Sequence, residues 1–313
     1  MSHLRTRLAL IAPSLLGATL AASFSFADSP LPTVAPVPRE AATPALRVEW
    51  HTDYVAARNA ADYAEKMLLV YFHEGETSET RTDFDREVLD RPEIQRRLAK
   101  DFIVVRQSLD ATAKLDPERA VDSVLLEHGA FRELRGAPGL AIIDLKNLGA
   151  DYYHHVVSAF PFDEGLTYDA FKMSVILDLP AGTLTQRTLT YAVRIHPENP
   201  RSADGRTHEA LMKMATWHSQ HMANIQLQGH HQWESRFHKL QAKLPGGQLP
   251  VEVAAESWPG ETLVEAAIEC VDSWRHSSGH WRAVRGNHPL FGYDMKRGKN
   301  GIWYATGIFA KRR

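Results

Sequence analysis

The sequence predicts an α/β (α+β) chain folded in two parts behind an N-terminal leader, and three observations carry that prediction. Between residues 67 and 144, short apolar runs alternate with amphipathic stretches, the order that builds a strand–helix–strand layer. Residues 207–223 place Leu211, Met214, Ala215, His218 and Met222 on one face at helical spacing. Two aromatic runs near the end of the chain flank Asn300-Gly301, a tight-turn pair between strands.

The leader comes first. Arg5 and Arg7 precede an apolar run from Leu8 to Ala22, and Ser25-Phe26-Ala27 puts small residues before Asp28. This is the pattern of a secretory signal peptide over residues 1–27, with an uncleaved membrane anchor as the alternative. No later run approaches the ~18 apolar residues a bilayer span needs, so the mature chain is expected to lack a transmembrane segment. Secretion or a periplasmic location follows. Residues 28–46 carry Pro30, Pro32, Pro36, Pro38 and Pro44 among small side chains. Proline at that density opposes helix and sheet alike, which marks a linker.

Composition narrows the function classes. Hydrophobic content of 44% and charged content of 24% suit a globular protein. A net charge of −2 offers no general field for nucleic acid, which is excluded as a partner. The single cysteine, Cys270, cannot form an internal disulfide; between Ile268 and Val271 it reads as a small buried hydrophobe.

In the first folded part, residues 47–165, helices are expected over 54–61 and 84–98, the second with Phe84, Val88, Leu89, Ile94 and Leu98 on its apolar side. Strands are expected over 67–72, 102–105 and 140–144. Lys66-Met67-Leu68-Leu69-Val70-Tyr71-Phe72, a loop, and a helix ending near Arg91-Pro92-Glu93-Ile94 resemble the thioredoxin fold. Gly136-Ala137-Pro138-Gly139-Leu140 stands where that fold carries its cis-proline, so the resemblance implies a cis bond at Ala137-Pro138. Where the redox pair belongs, the loop reads Glu76-Thr77-Ser78-Glu79-Thr80. Thiol–disulfide exchange needs an attacking thiolate and a resolving thiol, so this domain is expected to be redox-inactive.

The second folded part, residues 180–313, begins with a helix over 183–194, a loop over 197–206 and the helix over 207–223. Further on come a helix reaching Trp274, a Ser277-Ser278-Gly279-His280 turn and strands over 291–295 and 301–310. In this order the segments resemble the CAP superfamily (SCP/PR-1-like domains) in its bacterial, disulfide-free type. The resemblance implies an α-β-α sandwich with a shallow cleft. Within Gly229-His230-His231-Gln232-Trp233-Glu234-Ser235-Arg236, it assigns His230 as the first cleft histidine, Trp233 as the aromatic and Arg236 as the arginine, with His231 as the alternative register. It assigns Glu256, in Ala254-Ala255-Glu256-Ser257-Trp258, as the cleft glutamate, although Ser257 replaces the usual Asn. His280 is the second histidine, and Trp274-Arg275-His276-Ser277 lacks the second acid some relatives carry.

Two imidazoles and a carboxylate could bind Zn²⁺ or another divalent cation through His230 and His280, or move protons near neutral pH. They bring no nucleophile. His218 and His221 share helical metal spacing, as do His276 and His280. The simpler reading makes His218 a satisfied core histidine and leaves His221 and His276 as solvated or capping residues. Glu261, Glu265 and Glu269 read as a solvated stripe. Trp274, Trp281, Trp303 and Tyr304 read as core, with a sugar-stacking platform as the alternative. Lys296, Arg297, Lys299, Lys311, Arg312 and Arg313 read as a solubilising edge. No phosphate loop, nucleophile elbow, zincin motif or paired C-x-x-C occurs. The expectation is a secreted two-domain binding or scaffold protein, not an enzyme. Its cleft would take a metal, a lipid, a cell-envelope component or a protein partner. The alternative is a metal-assisted hydrolase acting on peptide or cell-envelope substrates.

Overall fold

The computed structural model describes residues 47–75, 77–114, 123–163 and 165–312, all within one unit, Pro44–Arg313. The expected leader and linker, Glu76 of the cysteine-free loop, and Arg313 lie outside the described residues.

Asp53 starts the first helix, α1 (Tyr54–Tyr63), by accepting from the Ala56 N–H at 2.9 Å. Strand β1 (Met67–His73) is buried at every position, as a central strand covered on both faces must be. Ser78 caps α2 (Glu79–Phe84); a π-helical turn (Asp85–Leu89) and α3 (Pro92–Asp101) follow. The single helix expected over 84–98 is therefore broken. Pro92 supplies the first turn of α3, and its ring forces Arg91 into extended backbone.

Strand β2 (Phe102–Ser108) runs parallel to β1 with Leu69 opposite Val104. A short ladder joins β3 (Thr112–Ala113) to β4 (Ser123–Val124). Strands β5 (Gly139–Ile143) and β6 (Val156–Pro161) add antiparallel neighbours, giving the order β2-β1-β5-β6, and α4 (Ala170–Leu177) closes the layer. A parallel βαβ unit followed by an antiparallel pair and a helix is a thioredoxin-like arrangement. The described peptide bonds are all trans, so the bond expected to be cis at Ala137-Pro138 is not. Its turn closes instead through Ala137 N–H on the Leu134 carbonyl, while the Pro138 carbonyl accepts from Phe162 N–H.

The second sheet begins after α5 (Leu184–Ile195), which a Thr183/Gln186 capping box starts. Next come β7 (Arg206–Thr207), α6 (Glu209–Ile225), α7 (Trp233–Gln241), β8 (Leu249–Glu256) and α8 (Leu263–Arg275), the last opened by a Thr262/Glu265 box. Helix α9 (Ser278–Arg285) and strands β9 (Leu290–Arg297) and β10 (Trp303–Lys311) complete the fold. Ser277 is the residue before α9, so the expected Ser-Ser-Gly-His turn is the start of a helix.

Sheet order is β7-β9-β10-β8. Alternation along the strands sorts the two faces. Phe291, Tyr293, Ala305 and Phe309 join Leu189, Cys270 and Trp274 from α5 and α8, whereas Leu290 and Ile308 join Leu211 and Ala215 of α6. This is an α-β-α sandwich. Helix α6 approaches β9 closely because Gly292 has no side chain; a Cβ there would overlap the backbone of Leu211 and Met212.

Helix α5 touches both sheets. Its Tyr191 ring lies 4.6 Å from that of Phe160 on β6. Its buried Arg187 donates to Ser158 Oγ and to the Leu179 and Pro180 carbonyls, each at 2.9 Å. Burial pulls the Arg187 pKa down to about 10. Among the described residues, no helix is long and apolar enough to cross a membrane.

Candidate functional site

The site is built on a buried carboxylate that stands in the middle of β8. The run Leu249-Pro250-Val251-Glu252-Val253-Ala254-Ala255 is apolar except at Glu252, whose side chain is 1% exposed. An ionised carboxylate at that depth is tolerated only with partners. Arg236, projecting from α7 and equally buried, binds both its oxygens, and the Nη2–Oε1 arm is 2.9 Å. The guanidinium also donates twice to the His231 carbonyl and lies over the Trp233 ring at 5.1 Å. Burial alone would raise the Glu252 pKa; hydrogen bonds from Arg236 and His230 and the nearby positive charge outweigh it and hold it below the ordinary value.

His230 stands on the loop between α6 and α7, a tight path in which Gln226 and Gln232 both take left-handed backbone. Its Nδ1 lies 3.0 Å from Glu252 Oε1, and its Nε2 lies 3.2 Å from His280 Nε2 in the first turn of α9. An ionised carboxylate only accepts, so His230 donates through Nδ1–H. Its Nε2 lone pair then accepts from His280 Nε2–H. The His280 pKa is lowered, first by burial and then by the His230 charge, with Glu252 opposing both. One proton therefore lies between the two Nε2 atoms, carried by His280.

His218 approaches the same carboxylate from α6. It is fully buried, with Nδ1 3.0 Å from Thr306 Oγ1 and 3.5 Å from Glu252 Oε2, but its Nε2 has no hydrogen-bond partner. The core histidine expected to be satisfied is satisfied on one nitrogen only. Burial pushes its pKa down to about 4 against the pull of Glu252.

The expected site residues therefore sort cleanly. His230 and His280 meet, and Arg236 and Trp233 support them from α7. His231 turns away: its ring nitrogen faces the Leu227 carbonyl at 3.2 Å and its ring packs edge-on against His221. His221 stacks on Trp217 rather than joining His218 at a shared centre. His276 caps the end of α8, on a different helix from His280.

Glu256 is a correction. It is exposed at the last position of β8, opposite Tyr304, and it makes no hydrogen bond or ion pair with either histidine among the described residues. Strand periodicity gives Glu252 and Glu256 the same face, but only Glu252 lies under α6 and α7. The signal that could have found Glu252 is a lone acid inside an apolar strand.

The donor set falls short of a resident zinc centre. Such centres take three or four protein ligands. Here two imidazoles converge, Glu252 is engaged by Arg236 and by His230 Nδ1, and no group of three His, Cys, Asp or Glu among the described residues could hold a metal ion. Neither imidazole has a hydroxyl or thiol partner among the described residues that could act as a nucleophile. What the arrangement offers is a rigid, partly exposed imidazole pair, held in one tautomer and able to donate to or accept from a polar ligand.

No protein family and no curated protein matches the chain. Among solved structures, it is similar to an outer surface protein from Borrelia burgdorferi, at 18% identity and a TM-score of 0.31, over 40% of this chain and 90% of that one. It is similar to a thioredoxin from Thermus thermophilus at 21% identity and a TM-score of 0.29, over 42% and 85% of the two chains. A DsbH oxidoreductase aligns at 13% identity and a TM-score of 0.26, with the same coverage.

Proposed function

We propose that the protein is an exported binding module in which a CAP-type sandwich presents the His230–His280 pair to a polar extracytoplasmic ligand, beside a thioredoxin-like layer without redox chemistry. The observation that carries this reading is the 3.2 Å contact between the two Nε2 atoms above a carboxylate locked by arginine. A cleft that fixes the tautomer and orientation of two partly exposed imidazoles, with no nucleophile beside them, suits recognition better than acyl transfer. The order of motifs from the long helix to the closing strand supports the CAP assignment, and the leader pattern in residues 1–27 supports export.

Elemental analysis of the purified mature chain, next to the His230→Ala/His280→Ala variant, tests the reading together with peptide-hydrolysis assays. Sub-stoichiometric zinc and no turnover in either protein agree with a binding module. One zinc per chain, lost in the variant together with hydrolytic activity, would replace it with the metal-assisted hydrolase. Sequencing the N-terminus of the exported protein checks the leader: it should begin at Asp28.

A further inference from the structure

The basic residues that the sequence groups as one solubilising edge separate in the fold. Lys296 turns inward and donates to the buried Asp294 at 2.9 Å, and Arg297 lies over the Trp303 ring. Lys311 and Arg312, at the end of β10, instead face Arg282 of α9 across a hollow of 510 Å³. A second hollow of 670 Å³ lies on the other flank of α9 and adds Arg275 and Arg285. Arg282 and Gly286 line both.

Neither hollow has an Asp or Glu in its lining, although acids outnumber bases in the chain, 38 to 36. Arg275 is neutralised by Glu198. Arg282, Arg285, Lys311 and Arg312 are exposed, and none has an ion-pair partner among the described residues. Cations in a last helical turn offset the helix dipole, but that dipole amounts to about half an elementary charge. Arg282 and Arg285 alone exceed it about fourfold, and Lys311 and Arg312 stand at the end of β10, outside that helix.

Small residues of α9 and its C-cap line the first hollow. Gly279, Ala283 and Gly286 recur at helical spacing along the first hollow, and a Cβ on Gly279 would meet nothing within 4 Å. His288 floors that hollow. It is buried, stacked on Phe309 at 4.8 Å, and tied to the Ala283 carbonyl.

We infer that the two hollows form one binding track, crossing α9 at Arg282 and Gly286, for an extended phosphate-bearing polyanion. A helix with its side chains is about 10 Å across, so a ligand touching both flanks must carry several charged groups on a chain. Nucleic acid is the less suitable polyanion. Trp281, the large aromatic residue in the lining, is buried against His196 and donates its N–H to Glu198, which leaves the small imidazole of His276 as the exposed ring and no platform on which successive bases could stack. The track is independent of the histidine pair, which leaves α9 on another face.

The test is binding of linear inorganic polyphosphate to the mature protein, with orthophosphate and single-stranded DNA as comparators. Polyphosphate should bind, and its affinity should fall about tenfold or more between 50 and 200 mM salt. Arg282→Glu/Lys311→Glu should weaken it at least tenfold, while Lys100→Glu/Lys239→Glu, on exposed positions elsewhere, should not. His230→Ala/His280→Ala should keep full polyphosphate binding even if the proposed ligand of the histidine cleft is lost. The track is refuted if polyphosphate fails to bind, if orthophosphate at equal phosphate concentration or DNA binds as well, or if the two charge-reversal variants lose affinity equally.

Discussion

The two four-stranded sheets of this molecule solve their cores differently. In the thioredoxin-like layer, β1 is buried along its whole length, and its neighbours on either face are Leu, Val, Ile and Phe. A hollow of 590 Å³ in that layer is lined by the rings of Phe84, Phe162 and Tyr168 together with charged residues such as Asp83, Glu87 and Arg91, and the segment where a redox pair would stand is capped into a helix by Ser78. The sandwich instead places Glu252, Arg236, His218, Asp294 and Thr306 in its interior. Removing charges from water costs several kcal/mol per ion, so a fold keeps them only where geometry compensates. The difference lies in what the buried charges meet: the first layer's buried carboxylate, Asp144, accepts from Lys146 and Asn147 of its own turn, whereas Glu252 is met by an arginine and two imidazoles from separate elements.

The sharpest way to break that contrast is to remove one partner of the buried pair. Arg236→Met leaves Glu252 uncompensated and should destabilise the protein by roughly 3–5 kcal/mol in denaturant unfolding. Arg236→Met/Glu252→Leu should recover most of that loss, because the penalty comes from the orphaned charge. A single variant costing less than about 1 kcal/mol would mean that water reaches Glu252 and that the interior is not as dry as the structure places it.

Acid should expose the same asymmetry. An unfolded imidazole takes its proton near 6.5, whereas folded His218 takes it only near 4. Between these values the unfolded chain binds more protons, so stability falls as pH falls; above about 6.5 the contribution is flat. The full loss is roughly 3 kcal/mol. Glu252, held below the ordinary carboxylate range, adds a loss in the same direction once it too becomes protonated. His218→Gln should flatten the slope between pH 6.5 and 4, and an unchanged slope would assign it to other groups.

A smaller effect tests whether the two sheets unfold together. Arg187 ties α5 to Ser158 of the first sheet and to the chain between them. Arg187→Leu strands those acceptors and should cost about 2 kcal/mol. It should also split one unfolding transition into two. A single transition with unchanged cooperativity would show that the apolar contact of Tyr191 with Phe160 is enough to couple them.

How much of this was legible in the sequence follows from which physical signal each feature leaves. The α/β class, the long helix and the closing hairpin rest on periodicity, which the chain displays openly. The break at Arg91-Pro92 was also on the surface of the sequence, but the apolar stripe running through it from Phe84 to Leu98 masked it. His230 and His280 lie 50 residues apart, and only the order of motifs suggested that they meet. Glu252 was missed because family order pointed to an acid before Ser257, while the deciding fact, cover from α6 and α7, is tertiary. The inward turn of Lys296 is tertiary too: nothing in a run of basic residues says which one bonds a buried Asp294.

Cys270 gives the least disruptive probe of the same comparison, since it lies in the sandwich core and the first sheet has no thiol. It is fully buried, and burial first, then the negative charges of Glu261, Glu269 and Glu256, push its pKa well up. A thiol reagent needs both access and thiolate, so native protein at pH 8 should react only through unfolding. Cys270 labelling therefore reads the opening of the second sheet alone. If Arg236→Met costs about 3 kcal/mol, the labelling rate should rise by roughly two orders of magnitude when reclosing outpaces reaction. Arg187→Leu, acting at the join, should raise it less. Rapid stoichiometric labelling of the native parent would place Cys270 at the surface and undo the distinction between a charged interior and an open one.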